Sequence, residues 1–162
     1  MWYKLPLFLW HNVPMAGTVS GAPTSKTLHG YFEDWLGAST GSDQDVIRKV
    51  EAGLPLKFID RLIQRGLTRD EVFHVIINPR TLKHRRSRRE HLSKEESERA
   101  VRMVRILARA QAVFGGHDEA LGWLRGPKKR FEGQPPIAML STETGGRMVE
   151  QMLVQIDEGM FA

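Results

Sequence analysis

The feature that most restricts how this chain can fold is the close recurrence of helix starts and stops from Ser42 to Gly159. A Ser or Thr followed three residues later by Glu is a capping box: the hydroxyl takes a free amide of the first turn, and the glutamate returns to the amide of the cap. Thr68 with Glu71 and Ser93 with Glu96 both fit, and Ser42 with Asp45 is a related N-cap pattern. Stops lie between these starts, at Gly53, Gly66, Asn78-Pro79, Gly115-Gly116, Gly126-Pro127 and Gly159. The intervals carry apolar residues at helical spacing. Val46, Ile47 and Val50 form one stripe; Leu56, Phe58, Ile59, Leu62 and Ile63 follow Pro55; Val72, Phe73, Val75 and Ile76 follow Thr68. A long helix behind Ser93 is striped by Ala100, Met103, Val104, Leu107, Ala110 and Phe114. A short helix over Glu119 to Arg125, one turn from Ile137 to Leu140 and a last helix capped by Ser141 or Thr142 complete the series. No run alternates apolar and polar residues between turn signals, so no strand is expected and the fold class is all-α.

The 162 residues are 41% hydrophobic and 27% charged, the balance of an ordinary globular chain able to bury a core. No cysteine is present, which excludes disulfides, thiolate metal sites and cysteine nucleophiles and is compatible with a reducing cytoplasm, the expected location. The opening MWYKLPLFLW is too short for a secretory apolar region and is broken by Pro6 and ended by His11 and Asn12. No later stretch approaches the roughly 20 apolar residues of a membrane span. Two readings of this opening stand: an N-terminal arm, whose Trp2, Phe8 and Trp10 favour docking on something, or an extension that packs nowhere. Residues 13–42 are rich in Gly, Ser, Thr and Pro around an apolar island at Tyr31 to Leu36 and read as loop or linker. The expected division is therefore an arm and linker over 1–41, a helical unit over 42–114 and a smaller helical unit over 115–162.

The formal charge of +5 is modest, but its placement is not. From Arg80 to Arg109 eleven Lys and Arg face four Glu, a local excess larger than the charge of the whole chain, so the rest is slightly acidic and one face can attract a polyanion. Thr68 to Arg89 gives that excess a form: an amphipathic helix, a turn at Ile77-Asn78, then PRTLKHRRSRR. A helix-turn-helix needs this order, with a first helix braced across the DNA backbone and a second, basic helix delivered to the major groove. Arg grips guanine or phosphate, and Lys neutralises phosphate. Arg80, Thr81, Lys83, His84, Arg85 and Arg86 are the candidate readers and anchors, with Arg88 and Arg89 continuing the basic run. A solvated basic helix, or a basic surface that meets an acidic protein, is the competing account. Arg99, Arg102, Arg105 and Arg109 recur along one side of the long helix; a solvated face paired with Glu95, Glu96 and Glu98 is expected ahead of extra phosphate contacts.

Chemistry has little to work with. Only His84 and His91 of the six histidines could share a helical face, about two turns apart and too distant to hold one ion without other ligands, so no metal and no cofactor are expected. No Gly-rich phosphate loop, zinc-protease helix or Gly-flanked nucleophilic serine occurs. Gly145-Gly146 is odd near the start of the last helix, where each Gly costs about 1 kcal/mol relative to Ala, and implies close helix approach or a kink.

These residues support a resemblance. The stretch from ARAQAVFGGHDEALGWLRG to the end closely resembles the toxin-binding domain of the Xre/MbcA/ParS antitoxin family, and GLPLKFIDRLIQRGL, NPRTLKHRR and LSKEESERAVRMVRILARA are similar to that family's Xre-type helix-turn-helix segment, in family order from roughly Asp45 to Ala162. The resemblance implies an Xre-like helix-turn-helix bundle followed by a small helical toxin-binding domain. It implies an antitoxin that binds and inhibits a RES-domain toxin, an enzyme that depletes NAD, while the pair represses its own promoter by binding operator DNA. Family antitoxins dimerise, and their extreme C-terminus reaches toward the toxin's active-site entrance, which maps here to Glu158, Gly159, Met160, Phe161 and Ala162. Trp123 and Arg125 are the candidate toxin contacts in the body of that domain. Met160 and Phe161 follow the capping Gly159 with no helix left to join; the residues alone rank fold-back onto the core first, and the resemblance reverses that order. A homodimer is expected on separate grounds too, because the long and final helices offer more apolar surface than one short bundle would bury. A stand-alone helix-turn-helix regulator is the alternative function, and an enzyme is set aside for want of a nucleophile and base.

Overall fold

The side-chain caps at Ser42, Thr68, Ser93 and Thr142 are each realised as a hydrogen bond at a helix start. The computed structural model describes residues 26–160; the aromatic arm, Phe161 and Ala162 lie outside that span. Nine α-helices and no strand occur among the described residues: α1 Leu28–Leu36, α2 Asp43–Ala52, α3 Lys57–Gln64, α4 Arg69–Val75, α5 Pro79–Arg88, α6 Lys94–Phe114, α7 His117–Arg125, α8 Pro136–Met139 and α9 Glu143–Asp157. The Ser42 hydroxyl accepts from the Asp45 amide, and both capping boxes are complete, at Thr68 with Glu71 and at Ser93 with Glu96. Thr142 caps α9 by accepting from the Gly145 amide. Asn78 caps α5 with Pro79 in its first turn, where a missing amide costs nothing.

The 21-residue α6 is the axis of the fold, with α1, α2, α4, α7 and α9 packed around it. Ala100, Met103, Val104, Leu107 and Ala110 are fully buried, as are Val149 and Leu153 of α9. Phe114 of α6 and Met148, Met152, Val154 and Ile156 of α9 stay partly exposed, while the rest of the two stripes is buried against each other and against neighbouring helices of the same chain. Arg99, Arg102 and Arg109 also depart from expectation. Instead of Glu95, Glu96 and Glu98, their partners are distant: Arg99 donates to the Ile76 carbonyl at 3.0 Å, Arg102 pairs with Glu143 at 3.0 Å, and Arg109 with Glu150 at 3.5 Å. A helix surrounded by others presents these three arginines to those neighbours, while Arg105 stays exposed.

The linker expected over 13–42 fails for its apolar island. Thr27 and Gly37 bracket a helix there, with the Thr27 hydroxyl accepting from the Gly30 amide and Gly37 in a left-handed C-cap at φ 66°. Trp35, only 1% exposed, secures it. Its indole Nε1 donates to the Gln111 Oε1 of α6 at 2.6 Å, its ring stacks on His117 at 5.2 Å, and the Arg65 guanidinium lies 4.6 Å from its centroid. Truncating a buried tryptophan costs about 3–5 kcal/mol, enough to hold a helix whose flanks are poor in apolar residues.

The glycine pair of α9 reflects close approach. A Cβ on Gly145 would stand 2.1 Å from the Met139 carbonyl oxygen, a backbone atom that cannot step aside, and one on Gly146 would meet the Arg102 side chain at 2.7 Å. Gly145→Ala is expected to lower stability by about 1–3 kcal/mol, as overpacking does, and to lower Tm by several degrees. Gly122 of α7 has open space at its Cβ, so Gly122→Ala should stabilise by up to about 1 kcal/mol. Thermal or urea unfolding of the two variants checks both signs; equal effects would contradict the packing described.

Candidate functional site

The cations of α5 divide into two groups. Arg80, Lys83, His84 and Ser87 are exposed and spaced so that they share one helical face, while Leu82 is buried beneath and Thr81 is half-buried. This face is presented by the buried turn Ile76-Ile77, which Arg99 fastens to α6 through the Ile76 carbonyl. Arg85, expected as a DNA anchor, points the other way. Its Nε lies 2.9 Å from Glu96 and its Nη1 3.2 Å from Glu90, with only about a fifth of the side chain exposed (22%). Arg86 pairs with Asp60 of α3 in an exposed contact, and Arg88 lies 3.8 Å from Glu90. Arg89 is exposed and left-handed at φ 56°, closing α5 where Gly or Asn is the usual residue. His91, the sequence partner of His84 for a metal, has its Nδ1 3.0 Å from the Gly53 carbonyl instead.

The second candidate surface follows α6. Trp123 is half-buried on α7, its ring 5.3 Å from Phe114 and its face 4.9 Å from the Lys128 ammonium. Lys128 was not among the residues expected from sequence, although its place in the basic run after Gly126-Pro127 was a usable signal. Burial against the indole pushes its ammonium below the ordinary lysine value. Arg125, expected to meet a toxin, is already occupied. Its Nε and Nη2 grip the two oxygens of Glu71 at 2.7 and 2.9 Å, and Nη2 also donates to the Gly66 carbonyl at 2.8 Å. That fork joins α7 to the capped start of α4. At the far end of the domain Glu158, Gly159 and Met160 are exposed; the Met160 amide donates to the Gln155 carbonyl at 2.9 Å and Gly159 stands at φ 69°. The tail thus leaves α9 through a fixed stop and then enters the two residues outside the described span.

Comparison with known proteins agrees with this two-part geometry. Residues 45–105 match the antitoxin Xre-like helix-turn-helix domain, and residues 109–159 match the antitoxin Xre/MbcA/ParS C-terminal toxin-binding domain. The chain is similar to the antitoxin Xre of Pseudomonas putida, 40% identical over 118 residues covering 73% of this chain and 74% of that protein. It is similar to the antitoxin Xre of Yersinia enterocolitica at 29% identity, over 86% of this chain and 95% of that protein, and to the antitoxin Xre of Photorhabdus laumondii at 30%, over 86% and 97%. The fold and its two surfaces define a class of binding protein, a helix-turn-helix module continuous with a toxin-binding domain, and not a class of enzyme. The chain belongs to the Xre antitoxin family.

Glu71 sets a pH dependence. Burial opposes its ionisation, yet the hydrogen bonds from Arg125 and from the Thr68 amide outweigh that cost and hold its carboxyl below the ordinary glutamate value. A carboxylate lowered on folding stabilises the protein above its unfolded value, about 4.3, and that contribution is lost as the pH falls through the lower folded value. Stability of the natural chain should therefore fall more steeply below about pH 4.3 than that of Glu71→Gln, which is less stable at neutral pH. Urea midpoints measured from pH 7 to 3 test this, and parallel curves would exclude the role.

Proposed function

We propose that the protein neutralises a RES-domain, NAD-depleting toxin by direct binding and represses its own operon through α5, acting as a homodimer in the cytoplasm. The observation that carries this reading is the coincidence of the toxin-binding match with α7–α9, ending beside the exposed Met160. Glu158, Gly159 and Met160 are exposed at the end of that domain, and an aromatic Phe161 entering a partner's pocket would have the character of a binding hot spot. Trp123, backed by Phe114 and flanked by Lys128, is the second contact, a rigid amphipathic ring with a cation beside it. On DNA, Arg80, Lys83 and His84 read or grip the major groove, and Thr81, Arg88 and Arg89 add flanking interactions. Arg86 joins them by exchanging its exposed pairing with Asp60 for a phosphate, an inexpensive exchange because surface ion pairs are worth about 0–1 kcal/mol.

Removing Gly159 to Ala162 from the full chain is expected to leave folding and operator binding nearly intact and to restore NAD loss in cells that express the toxin. Protection equal to that of the natural chain would move inhibition to the Trp123 surface. On the DNA side, Arg80→Ala with Lys83→Ala should weaken operator binding at unchanged stability and reduce the slope of log affinity against log salt by about one unit for each phosphate no longer neutralised. Arg85→Ala should behave differently, lowering Tm because it strips Glu96 of its partner, so that any loss of DNA binding follows the loss of fold. Titrations in 50–200 mM salt, about the range in which such slopes are read, alongside melting curves, separate the two cases.

A further inference from the structure

Among the described residues three large hydrophobic side chains are exposed: Leu28, Ile47 and Met160. Met160 belongs to the tail already discussed. Leu28 and Ile47 come from different helices and line one trough of about 870 Å³ between α1, α2 and α6, together with Phe32, Val46 and Ala108. Through Val46, Ile47 and Arg105 it continues into a second hollow of about 310 Å³ that runs toward α9. Arg105 has no acidic partner among the described residues and stands between the two hollows. An apolar floor beside an unpaired guanidinium suits a segment rich in aromatic rings, which such a cation stacks on as readily as it meets a carboxylate.

We propose that the apolar segment from Trp2 to Trp10 of this same chain docks in the trough. The described chain begins at Lys26, and Thr27, Leu28 and His29 form one wall of the trough, so everything N-terminal to Lys26 is tethered at its mouth. Residues 11–25 between the apolar segment and that tether reach about 50 Å when extended. That exceeds the length of α6, about 32 Å for its 21 residues, so the segment can be placed anywhere along the floor. The segment carries Trp2, Tyr3, Leu5, Leu7, Phe8, Leu9 and Trp10 with one charge, at Lys4. Left in water it would be an apolar patch of the kind soluble chains conceal. Tethering gives it an effective concentration near the millimolar range, which favours it over a second copy or a separate protein at cellular levels. The occupant buries Leu28 and Ile47 and extends the core through α1, whose flanking sequence is too polar to do so.

The absence of cysteine makes the test direct. In the full chain carrying Trp10→Cys and Ile47→Cys, a short bismaleimide should give a cross-link within one chain, seen as a monomer of altered mobility on denaturing gels. A covalent dimer instead would show that the segment sits on a second copy and would overturn the proposal. A second measurement guards against a Trp10 substitution that itself undoes docking. In the full chain with Ile47→Cys alone, thiol labelling should be slow, and it should speed up about tenfold or more when Trp2, Phe8 and Trp10 are changed to Ser. Equal labelling rates, with no intrachain cross-link, would overturn the proposal, because the trough would then be empty of this segment.

Discussion

Two carboxylates hold the helices in their places, and both do so while closing a capping box. Glu71 returns to the Thr68 amide and grips Arg125 of α7; Glu96 returns to the Ser93 amide and meets Arg85 of α5. A glutamate has two oxygens and more lone pairs than one amide can use, so the group that starts a helix can also tie that helix to another. Through Glu71 the first helix of the helix-turn-helix pair is joined to the toxin-binding domain. Through Glu96 the second is joined to the long helix that serves both. The orientation of α5 is thus fixed at its C-terminal half by an ion pair and at its start by the Ile76 carbonyl held by Arg99.

That arrangement explains how an arginine-rich helix is shared between structure and recognition. A helix bearing cations on every side cannot offer all of them to DNA, because one side must rest on the protein. The side that rests here meets Glu90 and Glu96, and the arginine above them is committed. What remains for a polyanion is the strip Arg80, Lys83, His84 and Ser87, with the basic C-terminal end beside it. The same division occurs along α6, where Arg99, Arg102 and Arg109 are spent on other parts of the chain and Arg105 has no acidic partner among the described residues.

The sequence was most readable where the interactions are local. Helix starts at Ser42, Thr68 and Ser93, the Asn78-Pro79 turn and the stops at Gly115 and Gly159 depend on neighbours within a few residues, and all were legible from spacing. Partners far apart in the chain were not. Nothing local reveals that Glu96 lies beneath Arg85, or that Glu71 and Arg125 meet across 54 positions, so both arginines read as free cations available to a partner. Helix α1 was missed for the opposite reason: its flanks are those of a linker, and its anchors are Leu36, buried in the core, and Trp35, whose partners Arg65, Gln111 and His117 lie well downstream. The Gly145-Gly146 pair showed in the sequence that something comes close, but only the fold identifies it as the Met139 carbonyl and Arg102.

Because α6 runs without a break through both halves, the two matched domains have one core between them and no flexible joint at which to separate. A protein built this way opens as a unit, and partial loss of one half exposes the apolar stripe of the other. If the chain restrains both a gene and a toxin, as proposed, its lifetime in the cell then becomes a single clock. A protease that captures one opened copy would end both restraints in the same event, with no interval in which one duty outlives the other.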